Sequence, residues 1–385
     1  MTSGLIGDFC ASFLDSSHEQ FRATCAAFTR EEVAPYVQEW EEREEFDRSL
    51  YTKAGEAGLL GPSFPEEYGG GGGDLFHAMI STEELLRAGS TGVVAGLGSL
   101  GIALPPILTL GSEEQKQRFI PPCLTGERIA ALAITEPGAG SDVAGVTTRA
   151  EQDGQHYVLN GSKLYVTSGV RADQVTVLAR TGPDPHAGLT FFVVDRDTPG
   201  YSVSRALKKT GWRASDTAEL AFTDMRVPAA NRLGEEGSGF ICLMHTFLHE
   251  RLFLSNFGYA TAEVCYDEAL AYAKQREAFG KPIVKHQAVR HKLAEMATQV
   301  LAAKVLTYQC VALAKESACT PAQAAMAKNF TAEVARAVSH EAVQIFGGMG
   351  YMRETLVERL SRDARLLSIG GGTSEVMKEI IGRMF

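Results

Sequence analysis

The spacing of apolar residues divides the chain into three stretches. From about Phe9 to Thr125, hydrophobic positions recur every three to four residues between acidic and basic ones, as in HEQFRATCAAFTREEVAPYVQEWEER. That period lays an apolar stripe along a helix. The segment GPSFPEEYGGGGGD interrupts it, and its prolines and five glycines predict a flexible surface loop. With no strand before it and no Lys-Ser/Thr after it, the glycine run is not a phosphate cradle. Between about Arg128 and Gly234 the chain turns to short β-rich runs, HYVLNGSKLYVTSG, DQVTVLART, GLTFFVVDRD and AELAFTDMRV, and Asn160-Gly161 carries the signal of a two-residue hairpin. From Gly239 onward the helical period returns. The expected fold is a multi-domain α+β chain: an N-terminal helical domain over residues 1–127, a middle β-barrel-like domain over 128–235 and a C-terminal helical bundle over 236–385. Without βαβ alternation, a doubly wound dinucleotide fold is excluded.

Composition narrows the function. The 385 residues, 45% hydrophobic, suffice for a large core, and a net charge of −10 opposes a nucleic-acid partner. No apolar run approaches the ~18 residues of a membrane span, and MTSGLIGDFCASFLD has no basic leader pattern, so a soluble, cytoplasmic protein is expected. Cys10, Cys25, Cys123, Cys242, Cys265, Cys310 and Cys319 are scattered and form no C-x-x-C pair, which reads as reduced core thiols. His286 and His291 lie five apart, a spacing that does not stack two ligands on one helix face, and no metal site is expected.

Four stretches offer chemistry. On the helix around Glu250, Phe240, Leu243, Met244, Phe247 and Leu248 form one apolar stripe, while Phe253, Leu254 and Phe257 cover the opposite face. A helix apolar on both faces is buried, so Glu250 and Arg251 need partners or a purpose. Either they make structural ion pairs elsewhere, or Glu250 is a general base kept in an apolar pocket. The stretch ALAITEPGAGSD ends a strand-like run in a turn of small residues, which is an ordinary tight turn or a backbone ligand site. QIFGGMGYMRE reads as a helix cap and turn or as a close backbone approach to a ligand. In KQREAFGKPIVKHQ a cationic helix end closes at Phe279-Gly280 and restarts after Pro282, and Arg276 is either solvated or a phosphate anchor.

Together, ITEPGAGSD, LNGSKLYVTSG, KKTGWRASDTAELAFTDMRVP, QREAFGKPIVKHQ, QIFGGMGY and GGGTSEV resemble the acyl-CoA dehydrogenase family, in its order and over nearly the whole chain. The resemblance implies a C-terminal four-helix bundle and a non-covalent FAD that oxidises the Cα–Cβ bond of an acyl-CoA. Electrons would pass to an electron-transferring flavoprotein. It implies flavin contacts from Leu132, Ile134, Thr135, Gly140 and Ser141, with Ser141 also near the substrate. The ring-stacking element reads Tyr165-Val166-Thr167, a tyrosine where the family usually has tryptophan. Thr373 and Glu375 would also meet the FAD. Arg276, Phe279, Gln287, Gln344, Gly347 and Gly348 fall on positions that reach a neighbouring subunit's FAD, which implies a homotetramer or homodimer.

In most of the family the base is a Glu in a C-terminal Y-E-G-T segment, but here Gly371 stands in its place. In the long-chain and isovaleryl branches a Glu immediately before Arg serves instead, which implies Glu250 as catalytic base, with Arg251 organising the substrate site. Gly371 would then keep a backbone N–H for the thioester oxygen, Gly372 would also meet the substrate, and Gly370 and Gly371, in place of Tyr and Glu, would leave room for a long, branched or terpenoid acyl chain. The competing readings are oxidation of an acyl or aminoacyl group on a carrier protein, an O₂-dependent oxidase, and a non-catalytic flavin- or acyl-binding relative.

Overall fold

The structure is a computed structural model that describes residues 8–385, so the reading of the first seven residues as free of a leader lies outside the described residues. Its N-terminal part is helical. It includes α1 (Ser16–Phe28), α2 (Leu75–Leu86) and α3 (Thr91–Leu97), joined by shorter helices. Asp15 and Asp74 start α1 and α2 as N-caps, each in a reciprocal capping box with a histidine three residues on, His18 and His77. Asp74 accepts from His18 Nε2 at 3.0 Å and pairs through its other oxygen with Lys315 at 2.5 Å. Ligand-type atoms of His18, Asp74 and His77 lie within 4.8 Å of one another, a grouping that the spacing of single histidines did not reveal. The ammonium already on Asp74 makes it a clasp between two helix starts.

The glycine run before α2 is not a loose loop. The N–H groups of Gly70, Gly71, Gly72 and Gly73 donate to the carbonyls of Pro65, Gly61, Phe64 and Pro62. A Cβ at Gly70 would overlap Phe64, so glycine is required by packing rather than by flexibility.

The middle part is an eight-stranded sheet in the order β6-β7-β3-β2-β4-β5-β8, with β1 (Ala130–Ala133) added in parallel to β4 (Gln174–Arg180). The remaining strands are β2 (Arg149–Asp153), β3 (His156–Thr167), β5 (Leu189–Asp195), β6 (Tyr201–Ala206), β7 (Thr217–Pro228) and β8 (Arg232–Leu233). β4 and β5 are buried on both faces, which explains their unbroken apolar runs. The hairpin expected at Asn160-Gly161 is absent, because both residues lie inside β3. Asn160 bonds Asp224 of β7 through both its oxygen and its nitrogen, and the register slips between Leu159 and Gly161. The Asn-Gly pair therefore builds a bulge, while the turn between β2 and β3 falls at Gly154.

The C-terminal part packs three long helices, α4 (Gly239–Gln275), α5 (Gln287–Lys315) and α6 (Pro321–Phe346), with two short ones, α7 (Leu356–Ala364) and α8 (Ser374–Gly382). Although α5 is long and apolar enough to span a membrane by composition, it is half buried in this bundle. The two-faced burial expected for α4 holds from Arg251 to Tyr266. Its first turns leave Ile241 and Met244 exposed, because in the single chain nothing covers their outer side.

Asp363, at the end of α7, joins the three parts. Its carboxylate accepts from the N–H of Thr91 on α3 (3.1 Å) and of Trp212 before β7 (2.6 Å), while the Trp212 indole donates to its carbonyl and stacks on Phe257 of α4. Burial and the nearby Glu41 push the Asp363 carboxyl up to about 7. We predict that Asp363→Ala, which strands two buried N–H groups at ~1–3 kcal/mol each, lowers the urea midpoint at pH 7 while leaving the far-UV spectrum intact. An unchanged midpoint would remove Asp363 as the junction.

Candidate active site

The turn after β1 and the end of β3 are joined side by side. Lys163, fully buried, donates to the carbonyl of Ile134 and to Glu136 Oε1, each at 2.8 Å, and the N–H of Leu164 donates to the carbonyl of Thr135. Glu136 also accepts from the N–H groups of Thr147 and Thr148, and these bonds with Lys163 hold its carboxyl down at about 2 despite burial. This anchored ion pair leaves Ile134 and Thr135 half-buried at the rim and Gly140 and Ser141 exposed. Leu132 also keeps some exposed surface. The register slips again between Lys163 and Val166, and Tyr165 takes φ +60° and stands 66% exposed. The Val166 side chain is buried in the sheet core, so only its backbone can meet a ligand.

Glu250 makes no hydrogen bond and no ion pair within 4.0 Å among the described residues, and it keeps part of its surface open. Its carboxyl is nonetheless so closely surrounded by protein that burial, only partly opposed by Arg251 and Lys328, pushes it up to about 7. Arg251 points elsewhere, over the Phe247 ring at 5.5 Å, and its Nε has no partner. The structural ion pair is thus absent. Opposite Glu250 lies the Gly370–Gly372 turn. A Cβ on Gly371 would stand 3.6 Å from Glu250 Oε1 and would overlap Leu254 Cδ1. Positions 250 and 371 therefore face the same point. Gly371 and Gly372 have φ of +64° and +98°, a conformation that side-chain-bearing residues rarely adopt.

The turn runs into α8, where Thr373 caps by accepting from the N–H of Val376, and Glu375 is held below its usual range by its own N–H and Thr373. Ser374 Oγ is buried there without a partner. Gly140 has open space where a Cβ would point. An outward-held aromatic, an orphan hydroxyl at a helix N-terminus and an open glycine backbone fit a flat ring carrying phosphates.

The second group of predicted residues lies elsewhere. Arg276 follows Glu250 by 26 residues of chain, about 39 Å along a helix. There the helix ends at Gln275, short of the expected close at Phe279-Gly280, and Glu277–Ala278 and Lys281–Pro282 form a small hairpin with Phe279 95% exposed at its tip. Tyr272 stacks on Phe346 at 4.2 Å, which brings the exposed Gln344, Gly347 and Gly348 to this same end. Gln287, at the start of α5, is exposed as well. These residues cannot close the Glu250 site within one chain.

Lys328 was missed by sequence reasoning. It lies on α6 among buried Ala324, Ala325, Ala327, Thr331 and Ala332, a lone cation on a face of small residues, and that contrast was the available signal.

Three family models match the chain: the acyl-CoA dehydrogenase N-terminal domain over residues 15–127, middle domain over 131–225 and C-terminal domain over 237–385. It is 43% identical to the mitochondrial long-chain specific acyl-CoA dehydrogenase of Sus scrofa, over 96% of this chain and 86% of that protein. A probable acyl-CoA dehydrogenase from Mycobacterium abscessus superposes with a TM-score of 0.95 at 47% identity, covering 97% of this chain and 99% of that one. A glutaryl-CoA dehydrogenase from Mycobacterium smegmatis, solved in complex with FADH2, superposes with a TM-score of 0.93 at 28% identity, covering 100% of this chain and 98% of that one.

The raised Glu250 carboxyl fixes a sign. A folded pKa above the unfolded one means that the native state binds more protons, so this group weakens the fold as pH rises from about 4.5 through about 7. We predict that Glu250→Gln matches the parent's urea stability at pH 4.5 and exceeds it at pH 8, by up to ~3 kcal/mol. A gain independent of pH would contradict the assignment.

Proposed function

The chain belongs to the acyl-CoA dehydrogenase family, and on that footing we propose that it is a FAD-dependent dehydrogenase of a long-chain or branched acyl-CoA, with Glu250 as the α-proton base. The observation that carries this reading is the convergence of Glu250 Oε1 on the point a side chain at Gly371 would occupy. A base must stand where the α-hydrogen is presented, and here one carboxylate fills that place without a competing partner.

FAD, when bound, supplies the acceptor for the hydride that leaves the β-carbon. The chain's own residues manage the proton. A Glu250 carboxyl near 7 is substantially ionised at neutral pH and still basic enough to take a proton from a carbon acidified by the thioester. The N–H of Gly371 is assigned as donor to the thioester oxygen, where charge develops as the α-proton leaves. Arg251, cationic and half spent on Phe247, lends its charge to the ionised base.

Ile134, Thr135, Gly140, Ser141, Tyr165, Thr167, the backbone of Val166, Thr373 and Glu375 are assigned to FAD on one chain, with Leu132 behind them. Ser141, Arg251 and Gly372 are assigned to the substrate side. Arg276, Phe279, Gln287, Gln344, Gly347 and Gly348, remote from Glu250 and exposed, are assigned to a second copy's FAD, so the enzyme is a homo-oligomer, a tetramer in this reading. An electron-transferring flavoprotein is assigned as acceptor. The long-chain preference is supported by the absence of side chains at 370 and 371 and by the porcine relative's name.

Glu250→Gln is expected to retain FAD and acyl-CoA yet to slow anaerobic flavin bleaching at least ~10²-fold. Bleaching at the parent rate would overturn the base. Because a side chain at 371 collides with Leu254, adding Gly371→Glu alone is expected to restore nothing, whereas Gly371→Glu with Leu254→Ala recovers part of the rate.

A further inference from the structure

We propose that Lys328 is the positioning residue of this site: it fastens the Gly371–Gly372 turn opposite Glu250 and keeps that base ionised. The inference rests on the reading of Glu250 as the base.

Lys328 is 1% exposed, and a buried ammonium is costly unless its protons are used. Its Nζ donates to the carbonyl of Gly372 at 2.5 Å, the one hydrogen bond it makes among the described residues. That carbonyl closes a turn whose two glycines hold positive φ, a shape with little local reason to persist. The helix bearing Lys328 is itself seated on α4, because Gly258 approaches Thr331 so closely that a Cβ there would lie 2.9 Å from its backbone. A single ammonium thus links three things: the α6 backbone, the turn and the field at Glu250.

The charges facing this point can be named. Arg251 and Glu250 come from α4, Lys328 from α6 and Glu375 from α8, whose own neighbours are Lys378 and Arg365, and the glycine turn adds none. Lys328 and Arg251 both favour the Glu250 carboxylate. Burial, then Arg251, bring the Lys328 ammonium down to about 8, while Glu250 and Glu375 hold it up. Above that range the site loses a cation just where its base is fully ionised.

The test measures the base directly. Infrared difference titration of the FAD-loaded protein against Glu250→Gln isolates the Glu250 carboxyl, and it is repeated in Lys328→Met, Lys328→Gln and Lys328→Arg. We expect the Glu250 midpoint to rise by about one unit in the Met and Gln variants and to stay with the parent in Arg. Anaerobic bleaching at pH 7 should fall about fivefold in Met and Gln, as the smaller ionised fraction of Glu250 requires, with the deficit shrinking toward pH 9. Gln, which keeps a donor for Gly372, should be less impaired in acyl-CoA affinity than Met. If Met does not fold, Gln and Arg carry the comparison. An unmoved Glu250 midpoint in Gln, with any rate loss independent of pH, would overturn the proposal. Failure of the underlying reading looks different, because Glu250→Gln itself would then bleach at the parent rate.

Discussion

The candidate site depends on one close approach: the Gly370–Gly372 turn lies so near α4 that only a residue without a side chain fits at 371. A Cβ there would meet Leu254 and come within van der Waals range of Glu250 Oε1. That closeness decides where a carboxylate can come from. With position 371 barred, the carboxylate at this point comes, among the described residues, from Glu250 on the helix, and the glycine keeps its backbone N–H available. The same turn starts α8, whose cap and first-turn residues are assigned to the cofactor. Closing the turn, seating the base and opening a helix N-terminus are consequences of a single packing constraint.

Two opposed electrostatic effects then set the base. Burial raises the Glu250 carboxyl, and the cations Arg251 and Lys328 lower it. Burial wins, leaving the group near neutrality rather than in the usual carboxylate range, which suits a base that must hold and release a proton at physiological pH. Glu136 shows the reverse balance in the same molecule. It is buried as well, but Lys163 and the N–H groups of Thr147 and Thr148 outweigh desolvation, so it stays ionised and serves as an anchor. The difference is hydrogen bonding: Glu136 receives it and Glu250 does not.

The order of helices, strands and helices was legible because each stretch keeps its own apolar period, and the Glu250-Arg251 pair was legible as charge in an apolar helix. Local signals misled where tertiary contacts overrode them. Asn160-Gly161 has hairpin chemistry, yet a side-chain pair with Asp224 holds it inside a strand. Five glycines suggest freedom, yet all five are bound by carbonyls of the preceding segment. The partners of Asp363 and Lys328 were invisible for the same reason, since they lie 272 and 44 residues away in sequence. Leu254 showed in the sequence only as part of a stripe, and its collision with position 371 required coordinates.

The central claim, that the Glu250 carboxylate removes the α-proton, is tested most directly by separating that step from hydride transfer. An acyl-CoA whose β-carbon bears two methyl groups and no hydrogen cannot be dehydrogenated but can exchange its α-hydrogens with D2O, which NMR follows. The account predicts enzyme-catalysed exchange by the parent, with an inflection near pH 7, and none above background in Glu250→Gln. Exchange by Glu250→Gln at the parent rate would contradict it.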